Sequence, residues 1–568
     1  MKKIILGLNS VGFNTSASLI IDNKLVSAVE EERLTREKRT RKFPIKSINY
    51  CLSKHKLFLE DLSAIAVSWN PSINLEHFNS GMSQHTGYFP SMLHSTINHI
   101  ITNLKKSKIN KNYLKQELSL ENKKKIDIFF VNHHLSHASN YYMSPFSEAS
   151  ILTLDGFGEK ESMSFSYAKK NKIEKISSQN FPNSLGSFFS TFTEFCGFKP
   201  QNEEWKLMGA SAYGKKSKYY TLIRNLVNLE KDSFSLNLKY FNHYLFHRPK
   251  YYNRAMCDYL GLEANKNPSK LSKDFFDIAY AAQRVFEEIY LYLVNCLAKK
   301  NRTSNLVISG GSALNCVANG KILEKTKFNN LYVPPVPDDS GAGLGAAYYV
   351  SNMILNCKKK YYVNHNFLGP SYTNDEVIKK LKKYRIKYEV HKNIFSSAVK
   401  SIIEGKIIAW FQGSLEFGDR ALGNRSILAD PRDKNMKDKI NKKIKYREDF
   451  RPFAPAILEE NKGDFFERAQ SSNFMERALL VKENKRSIIP AVTHQDGSGR
   501  LQTVNESNNS KFYKLIKEFY KNTGVPVLLN TSFNIQGEPV VCSIEDAIKN
   551  FYLSGVDELY IENCVIKK

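Results

Sequence analysis

The chain has 568 residues, 42% of them hydrophobic and 24% charged, the balance of a soluble globular protein too long for one ordinary core, so two or more domains are expected. Its net charge of +27 raises nucleic acid as a partner. However, 64 of the 83 basic residues are lysines spread along the whole chain, a pattern of solvated faces that disfavours nucleic-acid binding. No run approaches the ~20 apolar residues of a membrane helix. Eight cysteines without a Cys-x-x-Cys pair argue against disulfides or a zinc ribbon, and for free thiols in the cytoplasm.

Residues 4–29 read as a strand (IleIleLeuGlyLeu), a loop of small residues, a second strand (AlaSerLeuIleIle), an AspAsnLys turn and a third strand (LeuValSerAlaVal). The plan returns over 151–176, and a polar residue closes the first strand each time, Asn9 in one copy and Asp155 in the other. This doubled unit predicts an α/β fold. It resembles the duplicated ribonuclease-H-like core of the actin, sugar-kinase and heat-shock ATPase superfamily, which implies a nucleotide and a metal in the cleft between the two halves.

Between the copies lies ValAsnHisHisLeuSerHisAlaSer, 131–139. On a helix over 133–139, His133 and His137 share one face, and a neighbouring strand ending at Asp155 can aim a carboxylate at them. Two imidazoles and a carboxylate with positions left open suit a catalytic metal site. The competing reading is two histidines that merely share a face; His134 points elsewhere, to a strand or to solvent. Further on, LeuValIleSerGlyGlySerAlaLeuAsnCys (306–316) is a buried-strand run ending in a Gly310–Gly311 turn, where backbone N–H groups can approach phosphate. AspAspSerGlyAlaGlyLeuGlyAlaAla (338–347) then sets an aspartate ahead of a glycine-rich helix start, and Asp339 is the fourth candidate ligand.

Composition shifts at 357–371, a basic segment closed by Pro370 and read as a linker between domains 1–356 and 372–568. Nine of the 19 arginines lie between 420 and 500. In a lysine-preferring chain that points to planar, bidentate recognition of phosphate or carboxylate, against the alternative of a salt-bridge network with Asp430, Glu448 and Asp449. ValProValLeuLeuAsnThrSerPheAsn (525–534) adds a strand whose end offers Asn530, Ser532 and Asn534.

These segments, with GluGluGluArgLeuThrArgGluLys (30–38), LysLeuMetGlyAlaSerAlaTyrGly (206–214), GlyAspArgAlaLeuGlyAsnArgSer (418–426) and ArgProPheAlaPro (451–455), resemble end to end the O-carbamoyltransferases that modify nodulation factors and antibiotics. The resemblance implies an α+β, YrdC-like C-terminal domain that makes carbamoyl adenylate from carbamoyl phosphate and ATP with Mg2+. It also implies an N-terminal domain that passes the carbamoyl group to a small-molecule hydroxyl at a divalent metal, iron in relatives. Lys445, Arg451 and Arg500 are carried over as catalytic residues. Arg420, Arg425, Asn530, Ser532, Gly310, Gly311 and Asn315 are carried over as carbamoyl phosphate or nucleotide ligands, and His133, His137, Asp155 and Asp339 as metal ligands. The family's HisAsp pair after the first strand is Phe13–Asn14 here; loss of a general base there would alter transfer or acceptor choice and spare adenylate formation. A tRNA-modifying or nucleic-acid-binding relative is the alternative, and the insertions 71–125 and 216–275, read as irregular, are the expected acceptor-facing surface.

Overall fold

The computed structural model describes residues 2–12, 14–73, 108–245, 248–300, 303–358 and 360–568. Strands β1 (Ile4–Asn9), β2 (Ser16–Ile21) and β3 (Lys24–Glu30) form an antiparallel meander. Its second turn is two residues long, with Asp22 and Asn23 both at positive φ, the geometry that matches strand twist. β1 pairs in parallel with β4 (Ala64–Val67), and β5 (Lys108–Asn110) and β6 (Tyr113–Ser119) lead into β7 (Lys125–Val131), itself parallel to β4.

The same arrangement recurs. β8 (Glu148–Leu154), β9 (Glu161–Lys169) and β10 (Lys172–Asn180) form a second meander, and after the hairpin β11 (Val227–Glu230) and β12 (Ser233–Leu236), β13 (Asn305–Ser309) and β14 (Asn330–Tyr332) extend it in parallel from β8. The sheet orders β3-β2-β1-β4-β7 and β10-β9-β8-β13-β14 are therefore the same order twice.

Both sheets belong to one unit, 1–31 with 39–363. Residues 216–275, predicted to be irregular, instead hold the helices Lys218–Arg224 and Arg254–Leu260 and the β11–β12 hairpin. Tyr219, Ile223 and Leu260 are buried apolar anchors whose spacing is obscured in sequence by the surrounding lysines and asparagines. Within the other insertion, 74–107 lie outside the described residues, as does Phe13.

The second unit comprises 364–568 together with 32–38. Its nine-stranded mixed sheet runs β15 (Glu389–Val390), β23 (Cys564–Lys567), β22 (Glu558–Ile561), β16 (Ile408–Phe411), β17 (Arg425–Ala429), β21 (Val527–Ser532), β18 (Ala454–Leu458), β20 (Ser498–Val504), β19 (Arg477–Leu480). The amphipathic helix Ser510–Thr523 buries Phe512, Leu515, Ile516 and Phe519 in a core that includes Trp410 and Tyr560.

The early segment has a reason to be there. Arg33 donates to the Gly418 carbonyl (2.9 Å). Arg36 donates to the carbonyls of Pro539 (2.8 Å) and Val540 (2.6 Å), and its Nε lies 3.3 Å from Asp546. The division between the units falls at 363–364, and a seven-residue piece from far upstream belongs to the second unit. All eight cysteines are free and buried. Among the described residues no helix is long and apolar enough to cross a membrane.

Candidate functional site

The duplication explains how four distant residues meet in the first unit. The helix His133–Ala138 follows β7, the last strand of the first repeat, and the helix Asp339–Tyr349 follows β14, the last strand of the second. Asp155 directly follows β8, the second repeat's first strand. All lie at the carboxyl ends of strands, where α/β sheets place their ligands.

His133 Nε2 is 2.9 Å from Asp155 Oδ2, 3.4 Å from Asp339 Oδ1 and 3.2 Å from His137 Nε2; His137 Nε2 is 3.5 Å from each carboxylate. One ligand atom from each of the four lies within 4.8 Å of the others.

Three observations fit a cation here. The imidazoles are turned lone pair inward: His133 Nδ1 donates to the Ser68 carbonyl (3.2 Å), and His137 Nδ1 to Ser309 Oγ (3.3 Å), whose own proton goes to the Pro337 carbonyl (3.2 Å). Their Nε2 separation is close to the roughly 3.4 Å spanned by two nitrogens about 2.1 Å from a tetrahedral metal. Asp339 Oδ1 is buried with no hydrogen-bond partner, a deficit that a cation removes. Burial alone would push His133 and His137 down, but Asp155 and Asp339 outweigh it and hold both above the usual imidazole range. Asp155, despite burial, is held well below the carboxylate range by the two histidines.

Supporting groups surround the cluster. Glu159 accepts from the backbone N–H groups of His133 (3.0 Å) and Asn70 (2.6 Å), fixing the start of the histidine helix. His134 turns to the neighbouring strand, Nδ1 to Thr153 Oγ1 (2.7 Å), and burial lowers it to about 4.

The glycines serve close packing. Gly310, at φ +97°, lies so near the Leu154 carbonyl that a Cβ would be 2.1 Å away, and Gly311 N donates to Asp155 Oδ1 (3.0 Å). A Cβ on Gly345 would meet the Ser136 carbonyl at 1.9 Å, so this helix can lie against the histidine helix only without side chains there. Asn315 caps the helix Cys316–Lys325 and exchanges amide hydrogen bonds with Gln283.

The second unit assembles a different site on one sheet face. Across β18, Asn530 is opposite Ala454 and Gln502 is opposite Ala456, so the register puts Arg500, Gln502, Asn530 and Ser532 on the same face as those two alanines. The small alanines let Asn530 and Gln502 bond over the intervening strand (2.8 Å). Lys445 is buried, donating to Ser532 Oγ (3.4 Å), Asn534 Oδ1 (2.9 Å) and the Asn534 carbonyl (3.0 Å). Burial, then Arg447, Arg451 and Lys38, hold it well below the usual lysine range.

Arg447 is likewise pushed down by burial and by Arg451. Such crowded cations are poised to be stabilised by an anion. Arg451 lies 3.5 Å from Glu448, Arg500 donates to the Met475 carbonyl (2.8 Å), and Arg420 is half-buried on the β16–β17 loop.

Arg425 does not join them. It is fully buried, stacked 3.6 Å from the Phe411 ring, and spends NH1 and NH2 on the carbonyls of Gln412, Asn424, Pro370 and Gly413. It is a packing residue rather than the anion ligand that its sequence context suggests. Conversely, Arg447 and Asn534, singled out in sequence only as one of many arginines and one polar strand-end residue, sit at the centre. Their alternation with Lys445 and Ser532, Lys-x-Arg and Ser-x-Asn, was the available signal.

Residues 4–348 match the family model for the carbamoyltransferase N-terminus and 399–568 that for the carbamoyltransferase C-terminus. The chain is 36% identical to an uncharacterized Synechocystis protein, over 99% of this chain and 96% of that one. It is 33% identical to the nodulation protein NolNO of Sinorhizobium fredii, over 99% and 80%. Over 45% of its length and 48% of the relative's, it is 32% identical to the 3'-hydroxymethylcephem-O-carbamoyltransferase of Amycolatopsis lactamdurans. With its N-terminal and C-terminal parts matched in order, the chain belongs to the carbamoyltransferase family of enzymes.

Proposed function

We propose that this enzyme is an ATP-dependent O-carbamoyltransferase: its second unit, a YrdC-like domain, forms carbamoyl adenylate from carbamoyl phosphate and ATP, and its first, a duplicated ribonuclease-H-like domain, passes the carbamoyl group to a hydroxyl of a small molecule. The observation that supports this most is the crowding of Lys445, Arg447 and Arg451, with Glu448 beside Arg451 and Lys445 bonded to the neutral side chains of Ser532 and Asn534, a cost that a phosphorylated substrate would repay. Lys445 and Arg451 would neutralise the phosphate oxygens while Arg500, Asn530 and Ser532 orient the group.

In the first unit, His133, His137, Asp155 and Asp339 would hold a divalent cation, Fe2+ in our reading. When bound, such a cation supplies Lewis-acid polarisation of a carbonyl. Ser68, Ser309 and Glu159 keep the imidazoles aimed. Gly310, Gly311 and Asn315 are assigned to nucleotide contact; Gly311 N already serves Asp155, which leaves that contact to the neighbouring backbone. The acceptor is a small-molecule hydroxyl, as the name of the cephem relative suggests.

Incubation with ATP, carbamoyl phosphate and Mg2+ should give carbamoyl adenylate by mass spectrometry, and its absence from folded, metal-loaded protein would refute the reading. Arg451→Ala should abolish adenylate formation, whereas His137→Ala should spare it and abolish transfer. Equal loss of both half-reactions in both variants would contradict the division of labour.

A further inference from the structure

We propose that Gln502 is a positioning residue, which fixes the amide of the carbamoyl phosphate ligand Asn530 so that the anion site favours a carbamoyl over an acetyl group. The inference rests on the second unit's being the acyl-phosphate site.

The Asn530 amide is held in one orientation. Its Nδ2 donates twice, to the Ala421 carbonyl (3.1 Å) and to Gln502 Oε1 (2.8 Å). Gln502 is fixed in turn, because its Nε2 donates to the Leu422 carbonyl (2.9 Å). A backbone carbonyl can only accept, so flipping either amide would set oxygen against oxygen. The two carbonyls are themselves anchored: one oxygen of buried Glu416 accepts from the backbone N–H groups of Leu422 (2.8 Å), Asn424 (2.9 Å) and Arg425 (3.2 Å).

At the end of this chain of fixed bonds, Asn530 Oδ1 is buried with no hydrogen-bond partner. Asn530 is 1% exposed and lies on the sheet face of Ser532, the partner of Lys445. An orphaned, immobilised acceptor beside a cationic cluster fits a ligand with N–H donors next to a phosphate. Carbamoyl phosphate has both. Acetyl phosphate keeps the phosphate but presents a methyl group to Oδ1, leaving the acceptor desolvated and unpaired. Inorganic phosphate has no acyl group and tests the cationic cluster alone.

The test is calorimetric titration of the full-length protein with carbamoyl phosphate, acetyl phosphate and inorganic phosphate. Wild type should prefer carbamoyl to acetyl phosphate by about tenfold or more. Gln502→Met, close in volume but unable to hold the amide, should erase most of that preference while inorganic phosphate binds as before. A purely structural role for Gln502 would weaken all three ligands together. Gln502→Leu carries the same test if Gln502→Met does not fold.

Equal affinity of wild type for the two acyl phosphates, or a preference untouched by both variants, would overturn the inference and leave the site assignment standing. No binding of any of the three ligands would overturn the assignment itself, and this inference with it.

Discussion

The two carboxylates of the metal cluster should respond differently to the same isosteric change. Asp155 is 8% exposed and engaged on both oxygens, by His133 at 2.9 Å on one and by the Gly311 amide at 3.0 Å on the other. Asp155→Asn removes one partner of a buried charge pair, so the metal-free protein should lose about 3–5 kcal/mol. Asp339 approaches the histidines only to 3.4 and 3.5 Å, its side chain is 36% exposed, and its Oδ1 has no hydrogen bond. With solvent screening the loss in Asp339→Asn should be about 1 kcal/mol or less. Both variants lose a ligand, so affinity for a divalent metal should fall tenfold to a hundredfold or more in each. Urea unfolding of chelator-treated protein gives the first quantity and metal titration with elemental analysis the second. If Asp339→Asn costs metal-free protein as much as Asp155→Asn, or leaves metal affinity unchanged, the reading of Asp339 as an orphan awaiting a cation is wrong.

Binding of an anion should raise the depressed Lys445, so over the pH range in which free Lys445 titrates phosphate binding should take up protons, measured as a buffer-dependent binding enthalpy across a pH series; Lys445→Met should abolish the uptake. Gly345→Ala should cost several kcal/mol or prevent folding, because the added methyl collides with the Ser136 carbonyl; a soluble variant with an unchanged unfolding midpoint would contradict the packing. His243 donates to the Pro182 carbonyl (2.9 Å) and burial lowers it to about 4. The unfolded chain binds its proton first, so its contribution is complete above about pH 6.5 and is lost as pH falls through 4. That loss is roughly 3 kcal/mol, and acid unfolding curves of His243→Phe should lack it. Arg36→Ala should lower the second unit's stability by about 1–3 kcal/mol, read by hydrogen exchange at 538–546, with little change in the first unit.

What could be read from sequence was whatever a short window expresses. Each strand–loop–hairpin unit is contiguous, with period-two apolar residues and a turn of the right chemistry, so both meanders were legible. His133 and His137 were legible because helical spacing is local. Asp339 was reachable because it begins a helix after a strand, the same position in its repeat that the histidine helix holds in the other. Arg425 misled for the same reason. Next to Gly and Asn it looks like an anion clamp, and only tertiary structure shows four carbonyls and a phenyl ring closing over it. The Asn530–Gln502 bond was beyond reach, since it depends on register across three strands and on Ala454 and Ala456 being small.

The segment 32–38 carries the argument furthest. In chain order it follows the first meander and takes in most of the short helix Glu31–Thr35. Its arginines donate instead to carbonyls of Gly418, Pro539 and Val540. The Gly418 carbonyl belongs to the loop that supplies Ala421 and Leu422 to the two amides, and the 539–540 carbonyls follow closely on Ser532 and Asn534, the partners of Lys445. Lys38, at the end of the segment, adds a charge that helps depress Lys445. The surroundings of Lys445, the candidate anion site, are therefore built from both ends of the chain. The proposed chemistry divides between two halves of the sequence, while the fold makes the second unit include seven residues from the start of the chain.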